Sequence, residues 1–383
     1  MSGGHEAENP RREGIPLGRI AGVPIVLAYS WFVIAAFTVF VYGPTLATRQ
    51  PQLGAAAYLI AFAYSVLLLI SVLVHELAHA LSARAFGWPS QKIVLNLWGG
   101  HTQFEAFTVS PGRSVVVALA GPAANFVLAG GAWLVVTGVH LTGAADILVN
   151  IFMWANFLIA VFNVLPGLPL DGGRIVESAV WKTTGSQEKG TIAAGWTGRV
   201  IVIGIVVFAV GLPLAQGDQP DLPFTMITLL VAVFLWQGAT ASIRNAGFRS
   251  RLPEVVAGRL AHPAIGVPNY ATVAEAVRAG AQSGVAVVLC SPDGKPQGVV
   301  DPSAIGRVPE PARGTTPVTA VGYALAPGAY VPDTAAGQEL IQYLAQLAGT
   351  EYAVVDGAGR VVGLLNQRDV VAVISGRPVR PAR

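Results

Sequence analysis

Between residues 22 and 243 the chain is a succession of apolar runs, each close to the length of a helix that crosses a bilayer. Such a crossing takes about 20 mostly apolar residues. Runs of this kind lie at roughly 25–42, 55–80, 115–139, 147–165, 200–214 and 224–243. Lipid offers no partners for backbone polar groups, so the runs are constrained to be helices. The fifth run is the weakest, because Gly204, Gly211 and Pro213 interrupt or end it. The composition agrees: 12% of residues are charged and the mean hydropathy is +0.57, against about a quarter charged in soluble domains. From Arg244 onward the sequence reads as ordinary soluble protein. The expected fold is a polytopic α-helical membrane domain of about six transmembrane helices over 15–245, after a polar tail over 1–14. A soluble α/β module follows over 252–380.

Basic residues set the orientation. Arg11, Arg12 and Arg19 precede the first run; Arg84, Lys92 and Arg113 lie between the second and third. Arg174, Lys182 and Lys189 lie between the fourth and fifth, and Arg244, Arg249 and Arg251 follow the sixth. The opposite loops hold only Arg49. The positive-inside bias therefore predicts a multi-pass protein of the cell membrane with its N-terminus and C-terminal module in the cytoplasm. The net charge of +3, without a basic stripe interleaved with aromatics, argues against a nucleic-acid partner. Cys290 is alone, so neither a disulfide framework nor a thiolate cluster forms within one chain.

The second run, "LLLISVLVHELAHALSARAFG", carries His75, Glu76 and His79 inside apolar sequence. Residues four apart share a helix face, so both imidazoles point to one place and Glu76 lies beside it. This is the H-E-x-x-H arrangement of zinc hydrolases: two metal ligands and a general base. Ionisable groups at membrane depth are expensive unless paired or ligated, and a bound cation offsets that cost. A catalytic zinc takes a third protein ligand. His5, His101, His140 and His262 are poorly placed for it. Asp171, in "NVLPGLPLDGGR" after the fourth run, is the better candidate: the prolines and glycines around it break the helix and turn the chain inward. The alternative for Asp171 is a helix-capping role.

These residues resemble a known family, the site-2 proteases, zinc metalloproteases that cut substrates within the membrane. The resemblance rests on "HELAH" (75–79), "GPAANF" (121–126) and "NVLPGLPLDGGR" (163–174), with "LWGGHTQF" similar to the glycine-containing stretch before the third span. It implies one zinc held by His75, His79 and Asp171, with Glu76 as catalytic base and Asn125 near the site. Asn125 has two readings: a hydrogen bond to the developing oxyanion or substrate, or a helix–helix bond beside Gly121, Ala123 and Ala124. Asn163 reads as a helix cap or a substrate contact. By analogy the substrates are single-span membrane proteins, of the anti-sigma factor or signal-peptide remnant type.

"KIVLNLWGGHTQF" alternates around Gly99 and Gly100 and reads as a short membrane-associated β hairpin beside the site. Its residues Val94, Asn96, Gly99 and Gly100 are candidate substrate contacts, since an unwound substrate can add to a strand edge. His101 and Glu105 are further candidates in the same stretch.

In the soluble part, helix, strand, turn, strand, helix appears twice, over about 252–307 and 316–378, with Asp-Gly-type turns in "SPDGKPQG" and "VDGAGRVVG". The repeat resembles a tandem CBS pair, which implies an adenine nucleotide contacted by Asp369 and by Asp301, and a homodimer formed through the module. Both aspartates also read as helix caps. A competing reading of the whole chain is a CBS-regulated transporter or channel with the His/Glu cluster as a cation path. It calls for polar residues through several spans, and outside the motifs few are present, among them Asn150 and Asn156.

Overall fold

The structure, a computed structural model, describes residues 14–88, 90–96, 99–104 and 110–377. Residues 1–13 of the expected polar tail, Glu105 of the expected hairpin, and the side chain of His101 lie outside what is described. The chain forms two compact units, 1–246 and 247–383.

The first unit contains β1 (Gly14–Ile20), β2 (Val23–Ala28), α1 (Trp31–Arg49), α2 (Ala56–Ala85), β3 (Ser90–Asn96) and β4 (Gly99–Phe104). It continues with α3 (Pro111–Gly138), α4 (Gly143–Val164), α5 (Gly173–Thr184), α6 (Gln187–Val206), α7 (Leu212–Ala215) and α8 (Leu222–Arg251). A π-type turn, Val207–Gly211, joins α6 to α7. Among the described residues six helices are long and apolar enough to cross a membrane: α1, α2, α3, α4, the joined α6–α7, and α8.

The starts of the first and fifth spans differ most from the sequence reading, and α1, α2 and α8 run on past the expected ends of their runs. The first run was expected to be helical from residue 25, but 23–28 form strand β2 and the helix starts at Trp31. The alternation of Val23, Ile25 and Leu27 with less buried neighbours is a strand period, and those three side chains are buried. Ala21 and Gly22, with φ of 49° and 82°, make the two-residue turn from β1 to β2. Arg84 of α2 donates to the Ala21 carbonyl and ties that turn down. The expected hairpin is accordingly half of a four-stranded sheet, in the order β1-β2-β3-β4. Strand β2 runs parallel to β3 with Ile25 opposite Ile93 and Leu27 opposite Leu95. These four residues pack with Trp31 and Ala80 into one cluster that seats the sheet on α1 and α2.

The fifth span was expected from residue 200, but its helix begins at Gln187. Its polar first half buries the small residues Gly190, Thr191, Ala194, Gly195 and Gly198, which let neighbouring backbone approach closely.

The second unit holds α9 (Ala257–Leu260), β5 (His262–Pro268), α10 (Val273–Ser283), β6 (Ala286–Cys290), β7 (Pro296–Val300), α11 (Pro302–Ile305) and β8 (Gly322–Ala324). It ends with β9 (Tyr330–Pro332), α12 (Gly337–Gln346), β10 (Glu351–Val355), β11 (Val361–Asn366) and α13 (Gln367–Ile374). The expected repeat is visible: β5–α10–β6–β7–α11 is matched by β9–α12–β10–β11–α13. In each copy the first strand is parallel to the second and the second antiparallel to the third. The copies join into a seven-stranded sheet, β8-β7-β6-β5-β11-β10-β9. Val288, Val331, Leu340, Tyr352, Val354 and Leu365 form the fully buried centre of its core.

Candidate metal centre

His75, Glu76 and His79 lie on one stretch of α2, and all three are buried. The two imidazoles meet with Nε2 atoms 3.1 Å apart. Asp171, in the bend between α4 and α5, places Oδ2 at 3.0 Å from His75 Nε2 and 3.3 Å from His79 Nε2. The three predicted ligands therefore converge, and they form the group among the described residues whose geometry suits a metal ion.

The proton positions sharpen this. His79 Nδ1 faces the carbonyl oxygen of Val117 at 2.7 Å, and that oxygen can only accept. The ring therefore carries its proton on Nδ1, and Nε2 presents a lone pair. His75 Nδ1 faces Asn125 Oδ1 at 2.5 Å, which gives His75 the same tautomer. With that proton on Nδ1, the Nε2 of each ring is left facing Asp171 Oδ2, a buried oxygen with no hydrogen-bond partner among the described residues. Acceptors gathered at 3.0–3.3 Å call for a cation. The spacing fits zinc: a tetrahedron with bonds of about 2.0 Å has edges of about 3.3 Å.

Outer contacts fix the ligands. Asn125, fully buried in α3, accepts from His75 and donates from Nδ2 to Asn156 Oδ1 of α4 at 2.7 Å. Asn156 donates in turn to Ser71 Oγ of α2 at 3.0 Å and to the Phe152 carbonyl at 2.8 Å. This relay binds α2, α3 and α4 behind the His75 ring, and such partners hold a ligand's tautomer and orientation. Of the two roles weighed for Asn125, these hydrogen bonds make the helix–helix one; its contact with the site is through the His75 ring. Gly121 lets α3 reach the rings, since a Cβ there would come within 2.7 Å of His75 Nε2 and closer to His79 Nε2. Pro122, inside α3, has no N–H to donate to the Ala118 carbonyl, one residue beyond the Val117 carbonyl that His79 meets.

The bend that carries Asp171 is seated on α6 and α8. Leu168 N–H donates to the Ala194 carbonyl at 3.0 Å. Gly198 admits the Leu168 carbonyl where any Cβ would overlap it, and a Cβ on Gly238 would lie 2.6 Å from Pro169 Cγ. Gly172 N–H donates to the Asn163 carbonyl at 2.6 Å, closing the bend. Asn163 thus contributes its backbone to the loop of the third ligand.

Glu76 lies against the start of β4: a Cβ on Gly100 would fall 2.5 Å from Glu76 Cγ. Glycine at 100 is what lets the strand pass over the glutamate. Strand β4 ends the sheet, so its outer edge is unpaired within it. Val94 is buried in the interior strand β3, opposite both Val26 and the backbone of His101. Its place is in the sheet core and not on the open edge. Asn96 and Gly99 line a cavity of about 190 Å³ with Trp31, Leu69, Val72 and Ile159.

In the second unit the predicted aspartates are already engaged. Asp301 caps α11, accepting from Ser303 N–H at 2.8 Å. Asp369 is buried and paired with His262 Nε2 at 3.1 Å. Neither lines the 760 Å³ cleft between the two hairpin tips, which is bordered by Tyr270, Lys295, Tyr330 and Arg360.

Sequence reasoning missed Ser71 and the structural part of Asn156. The signals were available: Ser71 is four residues before His75 on the same helix face, and Asn156 is a polar residue in an apolar run.

The model of peptidase family M50 matches residues 63–144 and 135–208. Rip3 of Mycobacterium tuberculosis, which carries the name of a zinc metalloprotease, is 30% identical over 95% of this chain and 93% of its own length. Protein sll0528 of Synechocystis, named in the same way, is 36% identical over 62% of this chain, and the chain spans 62% of its length. Among solved structures, a site-2 protease from Methanocaldococcus jannaschii is matched over 60% of this chain and 94% of its own, at 23% identity and a TM-score of 0.41. The CBS domain of a bacterial CNNM/CorC family Mg2+ transporter is matched over 39% of this chain and 96% of its own, at 15% identity and a TM-score of 0.27. The chain belongs to peptidase family M50, the site-2 protease family.

Proposed function

We propose that the chain is an intramembrane zinc endopeptidase that hydrolyses peptide bonds in the membrane-spanning segments of single-span proteins. The observation that carries the reading is the convergence of His75, His79 and Asp171, with both imidazole lone pairs turned inward and Glu76 buried beside them. Zinc bound there supplies a Lewis acid that activates water and polarises a carbonyl. Glu76 takes the proton of the attacking water on its carboxylate and passes it to the leaving amine nitrogen. Asn125 and the Val117 carbonyl keep the two rings in the ligating tautomer throughout.

A helical substrate hides its peptide groups in its own hydrogen bonds and must be presented in extended form. The outer edge of β4, unpaired among the described residues, offers backbone donors and acceptors for strand addition, next to Glu76 through Gly100. The basic residues after α2, after α4 and at the end of α8 support a topology with the ends of the chain, and the C-terminal module, in the cytoplasm. For that module the cleft of Tyr270 and Tyr330 suits an adenine nucleotide better than Asp369, already paired with His262, or Asp301, already capping α11. A dimer through the module belongs to the same proposal.

The test is Glu76→Gln in purified full-length protein. Zinc stays near one per chain, while cleavage of a single-span substrate falls by about 10²–10⁴-fold. Loss of zinc, or cleavage at the normal rate, would refute the assignment of Glu76 as base.

A further inference from the structure

Arg199 lies in α6, within the span, and no part of the hydrolytic reading uses it. Its guanidinium stands between two indoles, 4.5 Å from the ring centroid of Trp196 and 5.0 Å from that of Trp236 on α8. Nη2 donates to Thr240 Oγ1 at 3.1 Å, and Thr240 donates to the Trp236 carbonyl at 2.7 Å. The Nε–H is buried and has no partner among the described residues. No carboxylate pairs with Arg199 among them either. A guanidinium offers five N–H donors and no acceptor, and Thr240 satisfies one of them. A charge at this depth with open donors is costly, so it marks a binding function.

The surroundings indicate what binds. Trp196 and Trp236 are exposed, as are Val200, Ile203 and Val233 along the same pair of helices. Trp236 and Thr240 stand two turns and one turn before Arg244, which opens the basic end of α8. Indoles concentrate at headgroup depth, and arginine stems reach toward the same level. A free phosphate would meet apolar surface on most of its approach. A phospholipid supplies an anionic oxygen for the guanidinium and acyl chains for the flanking apolar residues.

We propose that Arg199, Thr240 and the two tryptophans form a binding site for the phosphate headgroup of an anionic phospholipid. Headgroup oxygens accept from the Nη donors that Thr240 leaves open, and Arg244 adds positive charge one turn beyond Thr240 on α8. The acyl chains run along Val200, Ile203 and Val233. Bound lipid ties α6 to α8 beside Gly198 and Gly238, the two positions on which the bend of Asp171 is seated. Lipid occupancy thereby stiffens the support of the third ligand. That consequence rests on the metal-centre reading; the binding itself does not.

The experiment uses the full chain in neutral detergent. Native mass spectrometry is run with phosphatidylglycerol or phosphatidylcholine, and thermal unfolding with either lipid or with inorganic phosphate. Wild type retains phosphatidylglycerol through delipidation, and that lipid raises its unfolding midpoint; phosphatidylcholine and inorganic phosphate at equal concentration do not. Arg199→Gln weakens phosphatidylglycerol binding by about tenfold or more, and Arg199→Lys, which keeps charge without the planar fork, falls between. Thr240→Val leaves the cation in place and also weakens binding. Equal lipid retention in wild type and Arg199→Gln overturns the proposal. Equal protection by inorganic phosphate overturns the lipid assignment. If Arg199→Gln does not fold, unchanged binding in both Arg199→Lys and Thr240→Val overturns it. Glu76→Gln binds the lipid as wild type does, so failure of the hydrolase reading leaves this readout intact.

Discussion

Asn125 Oδ1 meets His75 Nδ1 at 2.5 Å at the back of a metal-facing ring, and Asn125 has no exposed surface. The contact decides which nitrogen of His75 is free to ligate. Replacing Asn125 by Ala strips the acceptor from His75 and leaves Asn156 Oδ1 without its donor. Outer-shell changes of this kind cost about 10–100-fold in metal affinity. Asn125→Ala should show that loss in zinc competition against a chelator, with cleavage recovering at high zinc. An unchanged zinc affinity would show that His75 does not depend on the relay.

Gly121 and Gly130 sit on the same helix and make opposite predictions. A Cβ at 121 intrudes on both His75 and His79, whereas nothing lies within 4 Å of a Cβ at 130. Gly121→Ala should lose bound zinc and cleavage together. Gly130→Ala should keep both, and helix propensity alone favours Ala over Gly by up to about 1 kcal/mol. Metal analysis of the two variants side by side checks this, and zinc retained in Gly121→Ala would contradict the packing described.

The membrane part was legible because its signals are local. Apolar length gave the helices, and a four-residue interval put His75 and His79 together. Asp171 was legible from the prolines and glycines around it. The first strands were hidden because residues 23–28 are apolar enough to merge with the run that follows; only the alternation of Val23, Ile25 and Leu27 separates them. The seating of the Asp171 bend was not legible at all. It depends on Gly198 and Gly238, distant in sequence from it, whose lack of a side chain matters only once α6 and α8 are packed. The aspartates of the soluble module were read from position in the repeat, and that reading carried no information about His262, the partner of Asp369.

The β10–β11 turn carries a pH dependence. Asp356 accepts from the backbone N–H of Arg360 at 2.9 Å, from its Nε at 2.9 Å, and from the Ala358 N–H at 2.9 Å. Backbone and side-chain donation from Arg360 hold its carboxyl below the ordinary range. A depressed value in the folded state means that stability is fully present above the unfolded pKa of about 3.9. It is lost as pH falls through the folded value. Asp356→Asn removes this acid-sensitive component, so proteolytic opening of the turn should rise more steeply toward pH 3 in wild type than in the variant. Parallel pH profiles would remove Asp356 as the cause.

Strand β3 provides the sharpest separation between holding zinc and handling substrate. Val94 lies in the middle of the sheet, with β2 on one side and β4 on the other. Proline there cannot donate to a ladder and fits poorly in an interior strand. Val94→Pro should therefore disturb β4, the edge available to an extended substrate. The metal ligands come from α2 and from the bend after α4, neither of which is built on β3. Cleavage should fall while zinc content stays near that of wild type, and KM for a single-span substrate should rise. Strand addition at β4 fails as the mode of presentation if turnover and KM are both unchanged. If zinc is lost as well, the sheet also supports the metal centre, through Gly100 and Glu76, and its role is not confined to substrate.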